Sequence, residues 1–260
     1  MFPYQFALIT GASSGIGEAL ARELAHHKVA QVLVARSQDK LESLASQLQS
    51  QGVRTLVIPL DLTQPDSNDI LANELKKNDI TIDLLINNAG FGSYGFFYQS
   101  VLHKECEMID LNIQSLVRLT RQFLPGMVER NHGCIVNISS TASFQPVPFM
   151  ATYAATKAFV TSFSLAIASE LKDTNVRVIA SCPGRTKTNF QVVAGSNRVR
   201  IRSRSAKPGD VARVTVRAIL NYKKIAIEGW NNKLMIAVQR FVPRKLVLAT
   251  ARKIFKPKSP

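Results

Sequence analysis

Short apolar, β-branched runs alternate along this chain with longer stretches whose apolar positions recur at helical spacing. Phe6–Thr10 (FALIT) reads as a buried strand, and a helix follows a Gly-rich turn and runs through Glu18–His26. Gln31–Ala35 is the next strand, and Lys40–Gln51 a helix with Leu41, Leu44, Ala45 and Leu48 on one face. Thr55–Pro59, Ile82–Asn87, Cys134–Ile138 and Val176–Ser181 repeat the strand pattern. Helices are expected between them over about Gln64–Lys77, Glu105–Arg130 and Ala151–Leu171, and Val211–Asn221 with Lys224–Ile227 adds a last helix and strand. Strands this apolar, separated by helix-length segments, predict a single-domain α/β fold with a doubly wound parallel sheet of about seven strands, covered on both faces. Ligands of such sheets bind beyond the carboxyl ends of the strands.

The residues with chemistry sit at those ends. Behind the first strand comes Thr10-Gly11-Ala12-Ser13-Ser14-Gly15-Ile16-Gly17, which opens the first helix. Glycines let a backbone turn tightly against a pyrophosphate, whose charge the helix N-terminus favours. A plain Gly-rich turn is the alternative. The second strand ends at Ala35-Arg36-Ser37 with no Asp or Glu to take a ribose 2′-hydroxyl, whereas Arg36 is placed to meet a 2′-phosphate. Asn87-Asn88-Ala89-Gly90 ends a later strand, Asn112 lies in a long helical pattern, and Ser140 closes CIVNISS. Pro183-Gly184, with Thr186 and Thr188, follows VRVIASC. Tyr153 and Lys157 are four residues apart, so a helix sets both on one face. A phenol titrates near pH ~10, and a neighbouring cation lowers that value towards a range useful for acid–base work.

Together these residues resemble the short-chain dehydrogenase/reductase family: TGxxxGxG at Thr10–Gly17, NNAG at Asn87–Gly90, and an Asn–Ser–Tyr–Lys set at Asn112, Ser140, Tyr153 and Lys157. The resemblance spans about residues 5–230 and implies a Rossmann-type fold. It also implies hydride transfer between a nicotinamide cofactor and a carbonyl or secondary alcohol. By that resemblance Tyr153 is the general acid/base, Lys157 lowers its pKa and binds the nicotinamide ribose, Ser140 holds the substrate carbonyl, and Asn112 supports a proton relay. The cofactor-binding set it implies is Gly11, Ser13, Ser14, Gly15, Ile16, Gly17, Arg36, Ser37, Asp61, Leu62, Asn88, Ala89, Gly90, Tyr153, Lys157, Pro183, Gly184, Thr186 and Thr188. Arg36 and Ser37 match members that prefer NADP over NAD. Many of those also carry a basic residue in the glycine turn, where this chain has Ser14.

At 260 residues and 46% hydrophobic the chain can bury a full core. Three cysteines without metal-ligand spacing predict reduced thiols and no metal site. MFPYQFALIT has no basic n-region, and no apolar run reaches the ~18 residues of a membrane span, so a cytoplasmic enzyme is expected. The net charge of +15 is uneven: residues 1–184 carry 14 basic against 16 acidic side chains, residues 185–260 carry 19 against 2. No nucleic-acid-binding module accompanies it. Aromatic residues Phe91, Tyr94, Phe96, Phe97, Tyr98, Phe144, Phe149 and Phe190 cluster near the substrate side and favour an apolar ketone or aldehyde, with a 3-oxoacyl or other lipid chain as a narrower alternative. An NADP-sensing binding protein is the non-enzymatic reading. A substrate-covering segment over 189–207 holds Arg198, Arg200, Arg202, Arg204 and Lys207. Residues 1–230 form the enzyme domain in this reading, and 231–260 a basic extension with an amphipathic helix over 244–256, started by Pro243 and stopped by Pro257. Its stripe of Val247, Leu248, Ala251, Ile254 and Phe255 either lies on an anionic membrane surface or packs on the body or a partner subunit of a homodimer or homotetramer.

Overall fold

The computed structural model describes residues 2–190, 194–195 and 205–257. Strands β1 (Phe6–Thr10), β2 (Ala30–Ala35), β3 (Thr55–Pro59), β4 (Leu84–Asn87), β5 (Gly133–Ile138), β6 (Val176–Cys182) and β7 (Ile225–Ile227) form one sheet in the order 3-2-1-4-5-6-7. Every pairing is parallel, with β1 between β2 and β4. The chain winds outwards first on one side of β1 and then on the other, so the switch point lies between β1 and β4, where a crevice forms beyond the strand ends.

Helices α1 (Gly15–His26), α2 (Gln38–Gln49) and α7 (Pro208–Leu220) bury Leu20, Leu24, Leu41, Leu48, Val216 and Ile219 against one sheet face. Helices α3 (Ser67–Lys77), α5 (Leu116–Glu129) and α6 (Ala151–Glu170) cover the other with Leu71, Leu75, Leu119 and Ile167. Burying apolar area at roughly 25 cal/mol per Å² on both faces is what holds such a sheet. The strands are near-continuous apolar runs because neither face meets water.

The structure refines the expected elements in three places. The helix anticipated over Glu105–Arg130 is α4 (Leu102–Ile109), a wide π-type turn over Asp110–Ser115, and then α5. A helix not anticipated, α8 (Trp230–Gln239), follows β7, and α9 (Arg244–Phe255) closes the described chain. Arg198, Arg200, Arg202 and Arg204 of the anticipated substrate-covering segment lie outside the described residues, while Lys207 stands at the N-cap of α7. Among the described residues no helix is long and apolar enough to cross a membrane.

Candidate functional site

Gly11 and Gly15 both take left-handed backbone conformations, with φ of 63° and 62°. Between them Ser14 is extended and caps α1 without committing its hydroxyl to the helix. A Cβ on Gly17 would stand 2.3 Å from the Gly11 carbonyl oxygen, so only glycine lets the turn fold this tightly. Asn88 braces the turn from β4. Its Nδ2 donates to the carbonyls of Thr10 and Gly11 at 2.8 and 3.2 Å, and the Asn88 and Ala89 amides donate to Thr10 Oγ1. Asn88 is therefore a strut of the cradle. Thr188 faces the same turn: its methyl would be 3.2 Å from a Cβ on Gly15.

Arg36 projects from the end of β2 with its side chain two-thirds exposed. Its Nη1 lies 3.8 Å from Asp61 and 3.7 Å from Glu107, two loose ion pairs that orient the guanidinium without enclosing it. Asp61 folds its other oxygen onto Thr63, Leu62 is buried beneath, and Ser37 caps α2 with a hydroxyl uncommitted to the helix. Glu107 is a site residue the sequence reading missed, because α4 brings it to Arg36 from 71 residues further along the chain (107 − 36).

Four side chains converge on the other side of the crevice. Tyr153 and Lys157 share one face of α6, and the Lys157 ammonium lies 6.0 Å from the Tyr153 ring centre. Lys157 Nζ donates to the Ile138 carbonyl at 2.8 Å, and its own carbonyl accepts from Ser139 Oγ at 2.9 Å. Ser140 accepts from the Ala142 amide at 3.1 Å, and its hydroxyl is close enough to the Tyr153 phenol to favour the phenolate. Asn112 sits in the π-type turn, where its Oδ1 accepts from the Phe91 amide and its Nδ2 donates to the Phe91 carbonyl and to Thr156. Gly90 allows this approach: a Cβ there would stand 2.7 Å from Asn112 Oδ1 and 3.5 Å from Lys157 Nζ.

Electrostatically the pair departs from the simple expectation. Burial raises the Tyr153 pKa above its ordinary value, and the neighbouring Ser140 hydroxyl only partly offsets this. Burial also lowers Lys157 to about 8. In this geometry the phenol is held protonated, and the ammonium, though still the main form at pH 7, gives up its proton far more readily than an ordinary lysine. Desolvation dominates both groups.

Pro183 accepts from the Thr141 amide, and Thr186 bonds the Gly184 carbonyl, so this segment packs beside Ser140. Beneath the site Asn87 donates to Asn137, which donates to Ser164, tying β4, β5 and α6 together below the reacting groups. The signal for Asn137 was a lone amide inside an apolar strand. Phe190 lies 5.1 Å from the Tyr153 ring and, with Phe91, Tyr94, Val147 and Met150, packs in the cluster around Tyr153. Next to this, behind Tyr94 and Phe149, a cavity of about 230 Å³ includes the buried carboxylate of Glu105.

The tight cradle at a helix N-terminus, the two uncommitted serines and the accessible Arg36 fit a nicotinamide dinucleotide. Comparison with known proteins agrees. The very-long-chain 3-oxoacyl-CoA reductase of Anas platyrhynchos is 37% identical over 195 residues, 73% of this chain and 62% of that protein. The chain thus aligns with about three fifths of that relative's length. Ketoacyl reductase HetN of a Nostoc species is 33% identical over 91% of this chain and 84% of its own. A short-chain dehydrogenase from Sphingobium yanoikuyae, solved in complex with NADPH, superposes with a TM-score of 0.82 at 32% identity, covering 91% of this chain and 94% of that one. Residues 5–198 match the short chain dehydrogenase family, and the chain belongs to it.

Proposed function

We propose that the protein is an NADPH-dependent carbonyl reductase acting on an apolar ketone. The observation that carries this reading is the Tyr153 phenol, held protonated beside Ser140 within a cluster of aromatic and apolar side chains, with Lys157 one helical turn away. When bound, the cofactor supplies a hydride to the carbonyl carbon. Tyr153 and Ser140 hold the carbonyl oxygen, and Tyr153 releases its proton to that oxygen as negative charge develops there. The phenolate left behind is stabilised by Ser140, and Lys157, held near pH 8, returns a proton to it. Asn112 positions the Phe91 backbone and, through Thr156, the first turns of α6. Gly11 to Gly17 would cradle the pyrophosphate, Lys157 the nicotinamide ribose, and Pro183 to Thr188 the carboxamide.

Arg36 supports NADPH over NADH. Its guanidinium is open to a 2′-phosphate, and two carboxylates 3.7–3.8 Å away hold it without saturating it. The relatives named as long-chain 3-oxoacyl and ketoacyl reductases favour an acyl-chain ketone within the apolar class. The test follows cofactor oxidation with a panel of linear, cyclic and 3-oxoacyl ketones, NADPH beside NADH. Arg36→Ala should weaken NADPH binding by about 10- to 100-fold, the worth of a charge-assisted contact, and leave NADH nearly unchanged. Equal use of both cofactors by the unaltered protein would sink the NADPH assignment.

We further propose a cytoplasmic homo-oligomer that associates reversibly with membrane. Free thiols at Cys106, Cys134 and Cys182 suit a reducing compartment. The exposed Leu102, Ile109 and Phe159 on α4 and α6 supply an apolar face for a second copy. The face proposed for the membrane is α8 with the turn after it: Trp230, Leu234 and Val238 of α8 and Phe241 beyond it are exposed apolar side chains, with Lys233, Arg240, Arg244 and Lys245 nearby in sequence.

A further inference from the structure

The C-terminal helices lie beyond residues 5–198, the part of the chain that matches the family, yet they do not lie apart from the site. On α9, Val247, Leu248, Ala251 and Phe255 point inwards, with Ala251 buried, while Leu246 and Ile254 stay exposed. Phe255 packs on the cluster that contains Met108, Val147, Met150 and Tyr153. The Tyr94 hydroxyl donates to the Phe255 carbonyl at 2.8 Å, across 161 residues of sequence, and so pins the last turn of the helix. That carbonyl belongs to the final helical turn, which has no further intrahelical donor to satisfy it. Upstream, Gln239 of α8 donates to Gln145 at 2.7 Å, just past the short helix that Ser140 caps. Asn232 of α8 packs so closely on Gly184 that a Cβ there would stand 2.4 Å from its Nδ2. Both helices are thus fastened to segments that flank the reacting hydroxyls.

We propose that α9 is the outer wall of the substrate chamber and that Phe255 is a specificity-determining residue, setting how far an apolar substrate extends beyond the carbonyl held at Tyr153. This rests on the carbonyl-reductase reading of Tyr153. Phe255 is the part of the helix that reaches the Tyr153 cluster, and its ring can be shortened without touching Tyr153, Ser140 or Lys157. The Tyr94–Phe255 hydrogen bond makes the wall adjustable, since one neutral bond holds its end. A substrate longer than the chamber meets Phe255 and must displace that turn. One that fits is pressed towards Tyr153.

The test measures kcat/KM with NADPH for a homologous series of linear ketones of increasing length in the full chain, Phe255→Ala and Tyr94→Phe, alongside hydrogen exchange of residues 244–255. Phe255→Ala should raise the long-to-short ratio of kcat/KM at least about 10-fold, the discrimination a few methylenes command in an apolar pocket. Tyr94→Phe should shift the ratio the same way by less and speed exchange in the last turn of α9. A uniform fall in kcat across the series with an unchanged ratio makes the helix merely supportive and overturns the proposal. So does unchanged exchange in Tyr94→Phe. If the unaltered protein reduces no ketone at all, the carbonyl-reductase reading fails first. The wall is then judged by binding of an apolar fluorescent dye, which must strengthen in Phe255→Ala for it to stand.

Discussion

Tyr153 is buried deeply enough that its proton stays on at neutral pH, which is the form a reductase needs in its proton donor. Removing only that hydroxyl isolates the chemistry from the packing. Tyr153→Phe should bind NADPH as the unaltered protein does and lose about 10²–10⁴-fold in kcat. More than a tenth of the original rate would refute the donor assignment. Lys157 gives a second handle through stability. Its pKa falls from 10.5 to about 8 on folding, so the unfolded chain binds the proton more tightly between those values. The penalty is complete below pH 8 and fades as pH rises towards 10.5. With cofactor removed, Lys157→Met should therefore be more stable than the unaltered protein at pH 7, by up to about 3 kcal/mol. The gap should close between pH 8 and 10.5. Thermal melts at stepped pH check this, and a gap independent of pH would place the effect in packing.

At the scale of elements, the glycine turn and its strut act as one part. A methyl on Gly17 would stand 2.3 Å from the Gly11 carbonyl and 2.5 Å from Asn88 Nδ2, so the turn must open or the strut must leave. Gly17→Ala should lower the melting midpoint by about 2–10 °C, the range for overpacking of 1–3 kcal/mol in a chain this size. It should also weaken NADPH binding at least about tenfold in a fluorescence titration. An unchanged affinity would mean that the turn is not the cradle. Such a turn was legible in the sequence because glycine spacing after an apolar strand leaves few alternatives, and the seven strands were legible because each is apolar on both faces. Two elements were not. The wide turn at Asp110–Ser115 keeps helical periodicity on either side, so nothing local marks the added residue that turns Asn112 towards Phe91. Helix α8 hides for the opposite reason. Its apolar stripe of Trp230, Leu234 and Val238 faces outwards, and its inward face includes Asn232 and Gln239 as well as Ile236. The sequence likewise showed that α9 has an apolar stripe but not what covers it, since Tyr94 is brought there only by the tertiary fold.

That inverted helix bears on the molecule as a whole. Trp230 is 74% exposed and Phe241 is 88% exposed, an arrangement unfavourable in water unless something covers it. Residues 185–260 carry 19 basic side chains against 2 acidic ones, so the covering surface best matched in charge is anionic. A helix with Trp and Leu on one face and Lys or Arg at its flanks suits a lipid interface, each cation near an anionic surface adding about 1 kcal/mol. In the proposed membrane association, the inward packing of α9 puts the contact on α8 and the turn after it, rather than on the stripe of Val247, Leu248, Ala251 and Phe255. Binding there would also set the wall of the substrate chamber beside the bilayer that dissolves an acyl-chain ketone. Full-length protein should co-sediment with vesicles containing phosphatidylserine and much less with neutral phosphatidylcholine vesicles, and salt should weaken the binding. Trp230→Ser combined with Phe241→Ser should reduce the bound fraction at least about fivefold while leaving reduction of a short, water-soluble ketone intact, because neither residue touches the site. If the double variant still binds anionic vesicles as the unaltered protein does, the stripe is covered by something other than lipid. A second copy of the chain would then show as an oligomer that the same variant dissociates.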